Sequence, residues 1–274
     1  MNTLKLTELL IDSGASFVGF SDVAGKLPSR IQHLHYAVTV GVRLSDAIID
    51  EITDKPSFTY FHHYRTVNTL LDQIALRGLI YIQQHNYNAM AVPASQTVND
   101  MDDPYRGIFP HKTAAVMAGL GSIGKNGLFL HKTYGPRVRL ATILTDMPLV
   151  SAGTVPSPTG LDASRVANTH STGTEASNGI VALAGSEAPS TDIEANRIYS
   201  CSSCNQCVDA CPAMALTGSE WYEGAPRDEI VDAKACSEYM NLNFKQIGRG
   251  SVCGICIRVC PAYQSKHIFT GGLT

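Results

Sequence analysis

Two cysteine-rich stretches in the last quarter of the chain decide its C-terminal fold: CSSCNQCVDACP at residues 201–212 and CGICIRVCP at residues 253–261. The first has the spacing C-x2-C-x2-C-x3-C-P, and the second has the spacing C-x2-C-x3-C-P. Cys236 lies between them and brings the total to eight cysteines in 274 residues. The rest of the chain contains none, so cysteine chemistry is confined to one segment.

This spacing indicates iron–sulfur ligation. Three cysteines two residues apart place three thiolates on one tight loop, and in two-cluster ferredoxins the fourth cysteine of such a run ligates the other cluster. Eight thiolates match the requirement of two [4Fe–4S] clusters. We therefore expect one cluster on Cys201, Cys204, Cys207 and Cys260, and the other on Cys211, Cys236, Cys253 and Cys256.

Two other uses of cysteine fit this pattern less well. Structural zinc sites pair C-x2-C knuckles and do not usually continue with C-x3-C-P. Disulfides are typical of small secreted chains, whereas residues 1–14 form an amphipathic segment unlike a signal peptide. No apolar run approaches about 18 residues, so we expect no membrane span and a cytoplasmic location.

The first 150 residues are expected to form an α/β (α+β) domain. Hydrophobic residues make up 44% of the chain, which is enough for a core. Its net charge of −3 does not indicate nucleic-acid binding. Helical spacing of apolar residues and short β-branched runs alternate along the domain. Helices are predicted over residues 4–14, 60–85 and 112–118, and strands over residues 16–20, 36–42, 89–92 and 137–144.

Residues 151–198 differ in composition from the domain before them. They are rich in Ser, Thr, Ala and Gly and contain no aromatic residue, which favours a flexible insertion or linker. Such a stretch could be a surface excursion without a role, which we favour, or a lid or partner-binding arm. Residues 199–274 then form a ferredoxin-like domain with the two clusters.

Three motifs connect the α/β part to a known family. They are AGLGSIGKNGL at residues 118–128, YGPRVR at residues 134–139 and LTDMPL at residues 144–149. Followed by the two cysteine motifs, this order resembles the family of epoxyqueuosine reductases and reductive dehalogenases. The resemblance implies a nitroreductase-like α/β domain that holds base-off cobalamin, with the ferredoxin-like domain supplying electrons. The GxGxxG within residues 119–124 does not by itself indicate a dinucleotide site, because the residues before it are predicted to be helical.

The resemblance implies that the glycine-rich segment binds the corrin. Glycines let a backbone approach a large flat ligand, and loop N–H groups can meet its phosphate and amide oxygens. The alternative is that these glycines only form tight turns. His111 and Lys112 begin a predicted helix and could meet an anionic group, while Arg137 could contact a ligand or form a salt bridge. The candidate cofactor-binding residues are His111, Lys112, Gly119, Gly121, Gly124, Lys125, Asn126, Gly135 and Arg137.

A proton donor is expected just before the glycine-rich segment. The resemblance implies a tyrosine there in dehalogenases and an aspartate in epoxyqueuosine reductases. This chain has NDMDDPYR at residues 99–106, without a clean match to either. We favour Tyr105, because a phenol is protonated at neutral pH. Asp103 and Asp102 are rivals that would need strong desolvation to keep a proton.

These features predict an iron–sulfur reductase. Electrons would pass through two [4Fe–4S] clusters to a cofactor, expected to be cobalamin, for reductive cleavage of an organic substrate. The expected partners are a low-potential donor of the ferredoxin or flavodoxin type and a small organic or modified-nucleoside substrate. A tRNA partner is less favoured, because only a short tail follows Cys260. The alternative is an electron-transfer module that docks a partner protein and catalyses nothing.

Overall fold

The computed structural model describes residues 3–95, 105, 107–149, 201–250 and 252–263. The predicted flexible insertion at residues 151–198 lies outside these residues. Within them, no helix is both long and apolar enough to cross a bilayer.

A four-stranded antiparallel sheet organises the N-terminal part. Its strands are β1 (Phe17–Asp22), β2 (Tyr36–Arg43), β3 (Ala89–Val92) and β6 (Val138–Thr145). Their order in the sheet is β1-β2-β6-β3. A separate hairpin consists of β4 (Gly121–Ile123) and β5 (Phe129–His131). The helices of this part are α1 (Thr3–Asp12), α2 (Asp46–Asp50), α3 (Phe58–Gln84) and α4 (His111–Met117).

The two central strands, β2 and β6, are buried on both faces because helices cover both sides of the sheet. Residues of α1 and α3 pack on one face, and α4 packs on the other. The strong apolar character of both strands follows from this double burial. Gly78 allows α3 to lie close to the sheet, because an added Cβ atom would come within 2.5 Å of Ile143.

The short β3 strand leaves part of β6 without a neighbour. Ala89 lies opposite Thr145 and Val92 lies opposite Thr142, so β3 covers only the second half of β6. Among the described residues, the first half of β6, which contains Arg139, has a strand partner only on its β2 side. This edge beyond the end of β3 positions polar side chains of α3 and β6 near the cysteines.

Residues 201–263, here called the cluster segment, pack directly on the sheet domain. The segment contains short helices, namely α5 (Gln206–Asp209), α6 (Ala233–Asn243), α7 (Lys245–Gly248) and α8 (Ile255–Arg258). Val252, Ile255 and Ile257 belong to the same hydrophobic cluster as the buried residues of α3. The two parts therefore share a core, and the predicted domain boundaries at residues 150 and 199 stay predictions.

The mixed α/β prediction is confirmed for the described residues. Each predicted helix and strand is present with its ends displaced by a few residues at most. The prediction omitted α2 and the β4–β5 hairpin, which are short and lack a clear apolar period. Ser57 caps α3 by accepting a hydrogen bond from the backbone N–H of Tyr60, which accounts for the observed start of that helix.

The core of α3 provides a stability test. Leu71 is 0% exposed and Leu76, on the same helix, is 52% exposed. Leu71→Ala should lower the free energy of unfolding by about 2–5 kcal/mol, because it removes buried apolar surface and leaves a cavity. Leu76→Ala, the matched control, should change it by less than about 0.5 kcal/mol. Urea denaturation followed by circular dichroism measures both, and equal losses would contradict the described packing.

Candidate functional site

Four cysteines line one small cavity between the cluster segment and the β4–β5 hairpin. Cys201, Cys204 and Cys207 lie on the loop that leads into α5, and Cys260 follows α8. These are the four thiols that the sequence spacing assigns to one cluster. The complete lining is Lys125, Asn126, Leu130, Cys201, Cys204, Cys207, Cys260 and Pro261.

The other four cysteines form a second group. Burial raises the pKa of Cys253 to about 11, with further contributions from the thiols of Cys236 and Cys211. Burial also raises the pKa of Cys256, and Cys253, Cys236, Cys207 and Cys211 add to the effect. The contribution of Cys207 indicates that the two cysteine groups are neighbours.

The thiols fit two iron–sulfur clusters. All eight are free of disulfides. Burial raises the pKa of Cys260 to about 11, so thiolates at this depth need a positive charge beside them, and iron supplies it. Among the described residues, no three metal-binding side chains converge closely enough for a single ion. The four thiolates of a [4Fe–4S] cluster lie farther apart than the ligands of a single ion, because each thiolate binds a separate iron.

Lys125 and Asn126, both predicted to bind the cofactor, contact the cluster segment. The Lys125 ammonium donates to the carbonyl oxygen of Ser202 over 3.3 Å and to Asn205 Oδ1 over 3.0 Å. Asn126 Nδ2 donates to the carbonyl oxygen of Cys256 over 3.4 Å. The loop between β4 and β5 therefore holds backbone atoms close to both cysteine groups.

Most glycines of the predicted corrin site lie against protein atoms. A Cβ atom added to Gly121 would lie 2.0 Å from the carbonyl oxygen of Leu130, and one added to Gly124 would meet the Leu130 side chain at 2.8 Å. A Cβ atom on Gly135 would meet the backbone of Ala262 at 2.8 Å. Gly119 differs, because nothing lies within 4 Å of its added Cβ atom. Close packing thus accounts for three of these glycines, and their corrin role stays a prediction.

Arg137 forms salt bridges, which is the second of the two roles expected for it from the sequence. Its guanidinium donates to Asp46 Oδ1 over 3.1 Å and to Asp50 Oδ1 over 2.8 Å. The same group lies over the ring of Tyr263, 4.1 Å from its centroid. Tyr263 follows Cys260 by three residues, so this cluster of charges anchors the end of the cluster segment to α2.

His111 and Lys112 bond to protein atoms. Burial lowers the pKa of His111 to about 4, so the ring is neutral. Its Nε2 donates to the carbonyl oxygen of Pro93 and its Nδ1 accepts from the hydroxyl of Thr142, both over 2.9 Å. The Lys112 ammonium donates to the carbonyl oxygen of Gly127 over 2.8 Å. Burial, followed by the charge of Arg227, lowers the pKa of Lys112 to about 8.

Tyr105 lies on an open groove beside the second cysteine group. Its backbone carbonyl accepts a hydrogen bond from Arg227, whose charge also acts on Cys236. Asp102 and Asp103, the rival proton donors, lie outside the described residues. The groove is lined by Tyr105, Arg227, Asp228, Val231, Asp232, Ala233 and Lys234.

The structure also contains a polar cluster around Arg139, whose partners Tyr64 and Asn68 the sequence did not identify. The Arg139 guanidinium lies over the ring of Tyr64, 4.5 Å from its centroid, and donates to Asn68 Oδ1 over 3.0 Å. The Tyr64 hydroxyl lies 2.9 Å from the hydroxyl of Ser95. Burial acts to raise the pKa of Tyr64, but the charge of Arg139 and hydrogen bonds to the phenol leave it below its usual value.

This polar cluster lies near the second cysteine group. Tyr60, one helical turn before Tyr64, is buried, and burial raises the pKa of its phenol. The charge of Arg139 acts to lower this pKa, and Cys256 and Cys253 act to raise it. Two sequence signals could have identified the cluster. Tyr64 and Asn68 are four residues apart on one face of a largely apolar helix, and Arg139 interrupts an apolar strand.

The ligand sets can be tested with single serine variants. Cys204→Ser and Cys260→Ser should disturb the same cluster, because both thiols line one cavity, while Cys253→Ser should disturb the other. Each variant should lower the iron content of the reconstituted protein from about eight towards about four. Iron analysis and electron paramagnetic resonance spectra measure the loss. Different spectra for the Cys204 and Cys260 variants would contradict the shared site.

The buried His111 predicts a pH dependence. Its pKa is about 4 in the fold against 6.5 in the unfolded chain, so only the unfolded state takes up a proton between these values. Its contribution to stability is therefore complete above pH 6.5 and is lost as the pH falls towards 4. His111→Gln can still donate to Pro93 but cannot titrate, so it should lose less stability on acidification. Urea midpoints across this pH range measure the slopes, and equal slopes would be inconsistent with a neutral buried ring.

Comparisons with known proteins agree with this geometry. Residues 200–263 match the family model of the 4Fe-4S double cluster binding domain. The tetrachloroethene reductive dehalogenase of Sulfurospirillum multivorans is 26% identical over 152 residues, which cover 54% of this chain and 22% of that protein. The epoxyqueuosine reductase of Cyclobacterium marinum is 26% identical over 157 residues, which cover 54% of this chain and 34% of that protein. The chain thus matches about a third or less of the length of these relatives.

Solved structures show the same fold. A catabolic reductive dehalogenase superposes with a TM-score of 0.62 at 17% identity, covering 96% of this chain and 32% of that chain. The epoxyqueuosine reductase of Streptococcus thermophilus gives a TM-score of 0.50 at 17% identity, covering 96% of this chain and 66% of that chain. Residues 200–263 thus match a two-cluster iron–sulfur domain, and about half of the chain is similar in sequence to epoxyqueuosine reductases and reductive dehalogenases, whose solved structures share its fold.

Proposed function

We propose that the protein is an iron–sulfur reductase that passes single electrons through two [4Fe–4S] clusters to a cofactor at which an organic substrate is reductively cleaved. The observation that carries this proposal is the separation of eight free thiols into two adjacent groups of four. One group lines a cavity shared with the β4–β5 hairpin, and the other lies beside Tyr60 of α3. The reductases among its relatives support catalysis over simple electron transfer.

The burial of the cysteines suggests the direction of electron flow. Cys201 and Cys204 line the first cavity, whereas burial strongly raises the pKa of Cys256 in the second group. An external donor can approach the first group, and the second group is the one beside Tyr60 and Arg139. Electrons thus enter from a low-potential donor of the ferredoxin or flavodoxin type and move inward. The eight free thiols also suit a reducing cytoplasm.

Cobalamin is the cofactor we propose for the reduction step. Another solved reductive dehalogenase with this fold has a structure that suggests a mechanism for B12-dependent dehalogenation by that protein. In this chain the groove beside Tyr105 is the proposed place, because two of its lining residues, Arg227 and Asp232, act electrostatically on Cys236. Arg227 and Lys234 can also meet phosphate and amide oxygens. When bound, cobalamin supplies a metal centre that takes electrons singly and delivers them to a substrate bond. Gly119 is the predicted corrin residue with open space beside it.

The finer features of the proposal follow the family. The α/β part is proposed to be nitroreductase-like and to occupy residues 1–150, followed by an insertion at 151–198 and the cluster domain at 199–274. The substrate class is a small organic molecule or a modified nucleoside, and tRNA is the weaker candidate. The fold likeness to dehalogenases and to epoxyqueuosine reductases supports both substrate classes.

Two tyrosines can supply the proton that reductive cleavage requires. Tyr105 lies on the groove, and its phenolic O–H is a group that can act as a general acid. Tyr64 has a lowered pKa because Arg139 stabilises its phenolate, which favours release of the proton. We favour Tyr105, which borders the proposed cofactor site, and treat Tyr64 as its rival.

Anaerobic reconstitution tests the function. The protein is loaded with iron and sulfide, with or without cobalamin, and is analysed for iron and cobalt. Reduced methyl viologen then supplies electrons for turnover of tetrachloroethene or of free epoxyqueuosine. We expect about eight irons and one cobalt per chain, with turnover of one of the two probes. Clusters without cobalt binding or turnover would favour the electron-transfer alternative.

Variants of the two tyrosines identify the proton donor. Tyr105→Phe should keep iron and cobalt but lower turnover by about 100-fold or more, because general acid catalysis is lost. Tyr64→Phe should then lower it much less. Tyr81→Phe, on the same helix as Tyr64, is the matched control and should leave turnover unchanged. A large loss in Tyr64→Phe with full activity in Tyr105→Phe would assign the proton donor to Tyr64.

A further inference from the structure

Lys125 is a buried charge beside the first cysteine group. It is 6% exposed, and it lines the same cavity as Cys201, Cys204, Cys207 and Cys260. It lies between β4 and β5, whose hairpin directs its side chain towards the cluster segment.

The protein offers this ammonium only neutral partners among the described residues. Its hydrogen-bond acceptors are the Ser202 carbonyl and the Asn205 amide oxygen. No described carboxylate lies within 4.0 Å of it, and none lines the cavity. Arg137, which is 4% exposed, has two carboxylate partners, Asp46 and Asp50. Burial of a charge without a counter-charge is strongly unfavourable, so Lys125 requires a negative partner.

The four thiolates of a cluster provide that partner. A [4Fe–4S] core with four thiolates carries about two negative charges when oxidised and about three when reduced. A fixed positive charge in a poorly solvated place therefore stabilises the reduced form more than the oxidised form. Net charge and hydrogen bonding around the sulfur atoms are among the factors that set the potential of such clusters.

We propose that the Lys125 ammonium is the counter-charge of the cluster held by Cys201, Cys204, Cys207 and Cys260, and that it raises the reduction potential of this cluster. The proposal rests on the iron–sulfur part of the proposed function. Lys125 takes no part in the chemistry and acts by placing a fixed positive charge beside the cluster. The step it favours is transfer of one electron from the low-potential donor, which is oxidised, to the cluster, which is reduced. No bond is broken and no proton is required.

The second cysteine group has a different electrostatic setting. Near Cys236 the positive charge of Arg227 and the negative charge of Asp232 have opposite electrostatic effects on the thiol. Lys125 therefore distinguishes the outer cluster from the inner one. A raised potential at the outer cluster lets a donor of given potential reduce it more completely, which suits a point of electron entry.

A redox titration of the two-cluster protein, followed by electron paramagnetic resonance, tests the proposal. Lys125→Met should lower one of the two midpoint potentials, with at least a tenfold change in its reduction equilibrium, or about 59 mV for one electron. Lys125→Arg should restore most of the difference. The affected signal should be the one altered by Cys260→Ser. Asn205→Ala removes a hydrogen-bond acceptor without changing the charge, so it should leave both potentials close to those of the natural protein.

Each outcome decides the proposal. Unchanged potentials in Lys125→Met, or an equal shift in Asn205→Ala, would overturn it while the iron content of the natural protein still supports the proposed function. Failure of the natural protein to bind two clusters would instead reject the function. If Lys125→Met cannot hold the cluster, Lys125→Gln, which is neutral and can still donate, replaces it in the titration. Loss of the cluster in both neutral variants but not in Lys125→Arg supports the counter-charge role.

Discussion

The gathering of eight thiols into two neighbouring groups is the constraint on which the rest of the structure depends. Burial raises the pKa of Cys253 and Cys260 to about 11, so these groups cannot ionise without positive charge beside them. Iron provides that charge, and its ligation contributes directly to folding of the segment that supplies the ligands. The cluster segment consists of short helices and loops, so it depends on metal ligation and on packing against the sheet domain.

The glycine-rich segment contributes to this packing on the side of the sheet domain. Gly121 lies too close to the backbone of Leu130 to carry a side chain, which keeps the β4–β5 hairpin tight. The tight hairpin places Lys125 and Asn126 against the cluster segment. At the other end, Arg137 and its two carboxylate partners hold the stretch that follows Cys260. Residues that resemble a cofactor loop in sequence therefore pack against the cluster segment in this structure.

The arrangement gives the molecule an outer and an inner redox position. The outer position is a cavity with a buried ammonium, and the inner one adjoins Tyr60 and the edge of the sheet beyond β3. The short β3 strand matters here because it ends before it reaches Arg139, whose side chain meets Tyr64 and Asn68. A guanidinium and two phenols thus lie next to the second cysteine group, where the proposed reductive step would use them.

The sequence by itself determined the ligand chemistry, the mixed α/β class and the approximate bounds of the longer elements. These properties are local, because cysteine spacing sets the shape of one loop and apolar periodicity sets which face of an element is buried. The tertiary structure alone decided the long-range pairs. Lys125 and Asn205 are 80 residues apart, Arg137 and Asp46 are 91 apart, and Arg139 and Tyr64 are 75 apart. Such pairs depend on how helices pack and how strands align, and no local pattern encodes which distant side chains will meet.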